Sequence, residues 1–386
     1  MLKINTLFLL FSLNISYSQA IYEYFESQFL EDSRELKIQL PRNYNENLDK
    51  EYPLIIVLDG DYMFEAVSGS VDYLSYSGNI PESIIVGINQ YQTRYDDCLV
   101  LDRMGTDSYE PISSSKNFYD FITEELISHF DKNYRTTKFK VAVGHKETAN
   151  YINYFLSHNK LHISGFIAIS PKFSYEMDNY LIDKFKKTKS NIFYYLVSSN
   201  AGSKSINKSS EVFFEEKIIP LKNDLVSFKY KQHQNLTTRN LPIHSIPEGL
   251  EHIFASYAPI NLIEYSSAPN KTKTSPVKYL LNKYENINSY YGLNKPILEE
   301  DFMFIDERIE ESQQFKYYED LSKLATKNYP KTILGSWYMG LYHEKKGDFK
   351  KAIQIYRSSY TLQDVYSITK DELLDRADVL YENLQY

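Results

Sequence analysis

The sequence predicts an α/β protein: a mostly parallel central sheet with helices on both faces, followed by a small all-helical appendage. Three observations carry this. Short, continuously apolar runs such as Leu54 to Leu58 mark strands buried on both faces. They alternate with stretches of helical apolar spacing, the order that builds a parallel sheet from strand-helix-strand units. After Pro259 the strand pattern stops, and from Glu300 onward the period is helical and the chain is rich in Glu and Lys.

The elements follow in order. FLEDSRELKIQLPRNYN places Leu36, Ile38 and Leu40 in alternation with polar residues, as in a half-buried or edge strand. YPLIIVLDGDYMF is a buried strand ended by the Asp59-Gly60-Asp61 turn, and SIIVGIN, Ser83 to Asn89, is the next. NFYDFITEELISHFDKNY spaces Phe118, Phe121, Ile122, Leu126, Ile127 and Phe130 as a helix does. KFKVAVGH is a third buried strand and ETANYINYFLSH the helix after it; SGFIAISP, NIFYYLVSS and LVSFKYKQH are further strands. The polar segment SSAPNKTKTSPVK, Ser266 to Lys278, holds two prolines and reads as a linker. Beyond it, Trp337, Gly340, Tyr342, Gly347, Ala352, Ile353 and Tyr356 follow the large and small alternation of a tetratricopeptide repeat. About three such repeats are needed to bury a continuous core, so an appendage or a plain helical hairpin is expected here. The expected division is a signal peptide over 1–20, the sheet domain over 21–262, a connection over 263–299 and the helical segment over 300–386.

Composition narrows the function. The 386 residues are 42% hydrophobic and 24% charged, which suits a globular protein with a proper core. Lys and Arg number 43 against 51 Asp and Glu, a net charge of −8 with both signs interspersed, which argues against a nucleic-acid surface. The 36 tyrosines fit either a sugar-stacking surface or a compositional bias. Cys98 is the single cysteine, so an intrachain disulfide, a thiolate cluster and a lipoprotein anchor are excluded. No histidine pair has metal-ligand spacing, and neither a metal nor a cofactor is expected. Residues 1–20 carry Lys3, an apolar run from Leu7 to Ile15 and small residues at Ser16, Ser18 and Ala20, the layout of a cleavable secretory signal. The mature chain is therefore expected to be exported and soluble, in a periplasm or outside the cell, with no membrane span.

Several stretches together resemble the esterase family of the α/β-hydrolase superfamily that includes esterase D-like and enterochelin esterase-like proteins. They are YPLIIVLDGDYMF, IIVGINQYQTRYDD with Arg94 and Asp97, ISHFDKNYRTTKFKVAVGH, GFIAISPKF and IHSIPEGLEHIF, spanning about Leu36 to Tyr257. The resemblance implies an α/β-hydrolase fold and a nucleophile on the turn between strand and helix. The family pattern there is GHSxGG. This chain keeps Gly144 and His145 and departs at Lys146, the nucleophile position, and at Thr148 and Ala149, the glycine positions.

A lysine has no hydroxyl with which to form an acyl-serine ester, and its reference pKa of about 10.4 leaves it protonated unless burial intervenes. Thr148 and Ala149 add Cβ atoms, so the turn is expected to relax. His244, placed in the loop after the last strand, matches the family histidine; a structural histidine is the plainer reading. The acid position falls in Asn200-Ala201-Gly202-Ser203-Lys204, and the first carboxylate is Glu211, a weak candidate. Oxyanion-hole donors are expected from the backbone of the Gly60-Asp61 loop and of Glu147.

The expected function is thus a hydrolase-like protein that has lost ester hydrolysis and binds a small anionic or acyl ligand, held by Lys146 at a helix start, with a protein partner on the helical tail. The alternatives are an active carboxylic-ester or acyl hydrolase with a non-standard nucleophile, Ser170 being one candidate, and a protein whose helical tail is the working part.

Overall fold

In a computed structural model, the described residues are 20–98, 113–156, 162–174, 177–199, 213–221, 223–267 and 275–384. Eight strands form one sheet in the order β1-β2-β4-β3-β5-β6-β7-β8. They are β1 (Ile21–Ser27), β2 (Asp32–Gln39), β3 (Tyr52–Val57), β4 (Ile84–Ile88), β5 (Thr136–His145), β6 (Gly165–Ile169), β7 (Ile192–Ser199) and β8 (Val226–His233). β1–β2 and β2–β4 are antiparallel pairs, and every other pair is parallel. β3 through β7 are buried along nearly their whole length, as their apolar runs require.

Two apolar clusters cover the faces of the sheet. One side is closed by α1 (Gly60–Tyr76), whose Met63, Phe64, Val67 and Val71 point inward. The other is closed by α3 (Ser114–Asp120), running through a π-helical turn (Phe121–Leu126) into α4 (Ile127–Asn133). Between β4 and α3 lies the short α2 (Arg94–Asp97). The helix after β5 is α5 (Glu147–Tyr151), prolonged by a 3-10 turn to Leu156; α6 (Met177–Lys187) precedes β7, and α7 (Leu241–Ile253) follows β8.

The expected connection over 263–299 is largely helical. It contains most of α8 (Leu262–Ser267) and all of α9 (Pro276–Tyr291). The polar composition hides an amphipathic period: Leu280, Ile287 and Tyr291 lie on one side at helical spacing and are fully buried. α9 serves two cores. Tyr291 packs edge-on to Phe139 at 4.9 Å and donates its hydroxyl to the Ile253 carbonyl at 3.0 Å, while Val277 and Leu280 face the helical segment.

That segment comprises α10 (Glu299–Ser312), α11 (Tyr318–Asn328), α12 (Leu334–Lys345), α13 (Phe349–Ser358) and α14 (Lys370–Asn383). α12 packs on α11 and α13, and α13 on α14, around Phe302, Tyr318, Tyr338 and Tyr356. Gly340 permits the α12–α13 approach, since a Cβ there would stand 2.0 Å from the Tyr356 ring. Among the described residues, no helix is long and apolar enough to cross a membrane.

Candidate functional site at the strand-to-helix elbow

β5 ends at His145, and the chain turns into α5 through Lys146, whose φ is 59° and ψ −112°. This is a strained backbone for a residue with a Cβ, costing on the order of 1–3 kcal/mol, and it persists only where the surroundings impose it. The expected relaxation of the turn does not occur. A Cβ on Gly144 would stand 2.6 Å from the Thr148 carbonyl group, so the strand and helix backbones touch at Gly144 and need no glycine at 148. Thr148 turns its hydroxyl inward instead, accepting from the His145 N–H at 2.8 Å and lying 2.8 Å from the buried Asp59 carboxylate.

Asp59 is the centre of the substructure beneath the elbow. It ends the β3 segment with φ 56°, turning the chain directly into α1. The residues expected as an oxyanion loop, Gly60 and Asp61, are therefore the first turn of a helix. Gly60 is required there, because a Cβ would stand 2.8 Å from the Gly87–Ile88 backbone. The Asp61 carboxylate accepts from the Gln90 N–H at 2.7 Å.

Arg94 closes the network. Its Nε and one terminal nitrogen reach the two Asp59 oxygens at 2.6 and 3.2 Å. The same terminal nitrogen donates to the His145 carbonyl at 3.0 Å, and the other to Glu147 at 2.7 Å. Burial works against ionised Glu147, but the Arg94 hydrogen bond and charge outweigh it and hold the carboxyl below its ordinary range. The fork of the guanidinium thus ties the end of β3 to the end of β5 and the start of α5.

The His145 ring is fixed from both sides. Nε2 lies 2.9 Å from the Thr238 carbonyl, which can only accept, so Nε2 carries the proton; Nδ1 then accepts from the Tyr62 hydroxyl at 2.9 Å. Burial, reinforced by the charge of Lys146, pushes this imidazole down to about 4 despite the Thr238 bond, so it is neutral near pH 7. With both nitrogens occupied, it is not placed to take a proton from a nucleophile.

The histidine expected at this site is not gathered here. His244 lies in the first turn of α7 rather than in a loop, exposed to solvent, and its electrostatic neighbour is His233. Pro242 at the start of α7 and the helical spacing of Leu241, Ser245, Ile246 and Gly249, all buried, account for that placement. The residue after β8 that reaches the elbow is Thr238, through its backbone. Glu211 and the segment 200–204 lie outside the described residues. Ser170 is buried at the end of β6 with φ 49° and donates its N–H to the Val197 carbonyl at 2.7 Å. Glu147 is, as expected, the first residue of α5. Asp59, Tyr62 and Thr238 were missed; only the Asp59-Gly60 pair at the end of a buried strand gave a signal.

Beside the elbow opens a cleft of about 540 Å³, walled by Tyr91, Tyr95, Glu147, Asn150, Lys172 and Phe173. Tyr91 and Tyr95 are exposed at its rim. Lys172 is anchored through its backbone, donating its N–H to the Lys146 carbonyl at 3.3 Å, and its charge favours ionised Glu147. α5 is only five residues long, so a helix dipole adds little to whatever binds. Among the described residues, no cluster of His, Cys, Asp and Glu could hold a metal ion.

Residues 27–146 match the family model described as "Putative esterase", and the match ends at the elbow lysine. Among solved structures, an uncharacterised protein from Capnocytophaga ochracea DSM 7271 is similar at 25% identity and TM-score 0.80, covering 94% of this chain and 100% of its own. An IroE-like serine hydrolase from Shewanella oneidensis shares the fold at 22% identity and TM-score 0.58, over 84% of this chain and 99% of its own. The BES protein from Bacillus cereus does so at 17% identity and TM-score 0.52, over 65% and 98%. A comparison with curated proteins returned no match.

Proposed function

We propose that this chain, of which residues 27–146 match the model described as "Putative esterase" and which shares its fold with an IroE-like serine hydrolase, has given up ester hydrolysis and works as a binding protein of that fold. The observation that carries the reading is Lys146: an amine occupies the strained elbow position from which a hydroxyl would attack, and the elbow's own histidine, His145, has both nitrogens engaged. The cleft beside Glu147 is the binding place in this reading, with a small carboxylate or acyl compound as ligand and Lys172 as its counter-charge. The helical segment is read as the part that meets a protein partner. The leader-like residues 1–20 support export to a periplasm or beyond.

The test is hydrolysis of short- and long-chain nitrophenyl esters and acyl thioesters by the purified mature protein, beside Lys146→Ala. Both proteins should run at the buffer rate. Activity lost in Lys146→Ala would make the lysine a working nucleophile; activity equal in both would place a nucleophile elsewhere. Either result overturns the proposal.

A further inference from the structure

We infer that the cleft beside the elbow takes a short peptide with free termini and an aromatic side chain, its ammonium on Glu147 and its carboxylate on Lys172. This rests on the reading of that cleft as the binding place and names what it binds. The cleft is walled by Tyr91, Tyr95, Glu147, Asn150, Lys172 and Phe173 and measures about 540 Å³, room for a dipeptide.

The sheet sets the two charged residues where they are. β3, β5 and β6 are neighbours and run parallel, so their C-terminal ends share one edge, where ligands settle in sheets of this kind. Each strand leads into a non-glycine residue with a left-handed φ: Asp59 at 56°, Lys146 at 59° and Ser170 at 49°. Such strain persists where the surroundings impose it, and it gathers at ligand sites. Glu147 follows Lys146 directly, and Lys172 comes two residues after Ser170 with its N–H bonded to the Lys146 carbonyl at 3.3 Å. The strained turns thus bring both residues to one cleft.

The charges favour a dipolar ligand over a plain anion. Arg94 is engaged by the buried Asp59 through Nε at 2.6 Å and a terminal nitrogen at 3.2 Å, so its charge is answered beneath the floor. What faces a ligand is one carboxylate, on a Glu147 side chain that is 44% exposed, and one ammonium, on the exposed Lys172. Lys172 acts on Glu147 through its charge, yet among the described residues it closes no ion pair. A lone carboxylate would meet Lys172 and also the like charge of Glu147. A zwitterion answers both groups. The termini of a peptide stand further apart than those of a free amino acid, as two side chains that do not reach each other require.

The remaining wall is aromatic. Tyr91 and Tyr95, 87% and 77% exposed, present their rings at the rim, and Phe173 is held by the Phe213 ring 5.7 Å away. Three rings around a cleft suit a flat apolar side chain.

Isothermal titration calorimetry on the full mature chain reads binding of alanyl-phenylalanine, its N-acetyl form, its C-terminal amide, 3-phenylpropanoate and maltose. The free dipeptide should bind most tightly, and blocking either terminus should weaken it by about fivefold or more. In Glu147→Gln acetylation should bring no further loss while amidation still does; in Lys172→Met the pattern should reverse. Losses unmoved by the variants, no binding of the dipeptide, or maltose held as tightly would overturn the inference. 3-Phenylpropanoate bound as well as the dipeptide would overturn it too, while leaving a binding cleft in place. Ester turnover, by contrast, is the result that sinks the binding reading itself.

Discussion

Replacing Arg94 by alanine should destabilise the protein by about 3–5 kcal/mol, the cost of breaking a buried ion pair from one side. Asp59 is only 1% exposed and draws two of its hydrogen bonds from this guanidinium. Arg94→Ala leaves that carboxylate with the Thr148 hydroxyl as its side-chain donor, and it removes the guanidinium from the His145 carbonyl and Glu147 at the same stroke. Glu147 is partly exposed and should contribute little; most of the loss comes from Asp59. Arg94→Lys keeps the charge but cannot reach four acceptors at once, so its loss should be about half as large. Urea denaturation followed by far-UV circular dichroism reads both values, and proteolysis near the β5–α5 junction reports whether the elbow opens. A loss under about 1 kcal/mol for Arg94→Ala would refute the idea that this fork holds the strained backbone of Lys146.

Other outcomes follow from the same structure. Lys146→Ser should fold and still hydrolyse no ester, because His145 is committed to Tyr62 and Thr238; ordinary esterase turnover in that variant would contradict the site geometry. The His145 imidazole has a folded value near 4 against 6.5 when free, so the unfolded chain binds more protons between those pH values. Its contribution is complete above about pH 6.5 and is lost as pH falls toward 4, by up to ~3 kcal/mol. Denaturation midpoints across that window should flatten in His145→Asn. Gly340→Ala should cost about 1–3 kcal/mol by forcing α12 from Tyr356, seen as earlier proteolysis of the helical segment with the sheet domain intact.

The sheet was legible because strands buried on both faces leave unbroken apolar runs, and Leu54 to Leu58 or Val141 to Val143 can hardly be anything else. The elbow was legible in position but not in shape. Counting Cβ atoms at Thr148 and Ala149 suggested a slack turn, whereas the tight contact lies at Gly144 and the threonine hydroxyl became part of the support. His244 was misplaced for a related reason: a lone histidine downstream of the last strand satisfies chain order, while only three dimensions reveal that Thr238 meets the elbow. The polar run before α9 concealed a helix, since a period of 3.6 among lysines and asparagines weighs less to the eye than prolines.

The double membership of α9 bears on how this molecule can be taken apart. Cutting the chain at Lys278, where the polar stretch invites it, would pull Ile287 and Tyr291 out from beneath Phe139, Phe193 and Phe254, and the remaining half would fail for want of its own floor. A loss of partner or ligand after such a cut would then report a wounded sheet domain and nothing about the helices. A cut beyond Gly292, which ends α9 in a left-handed turn, leaves those aromatic contacts whole and makes the separation of duties a fair question.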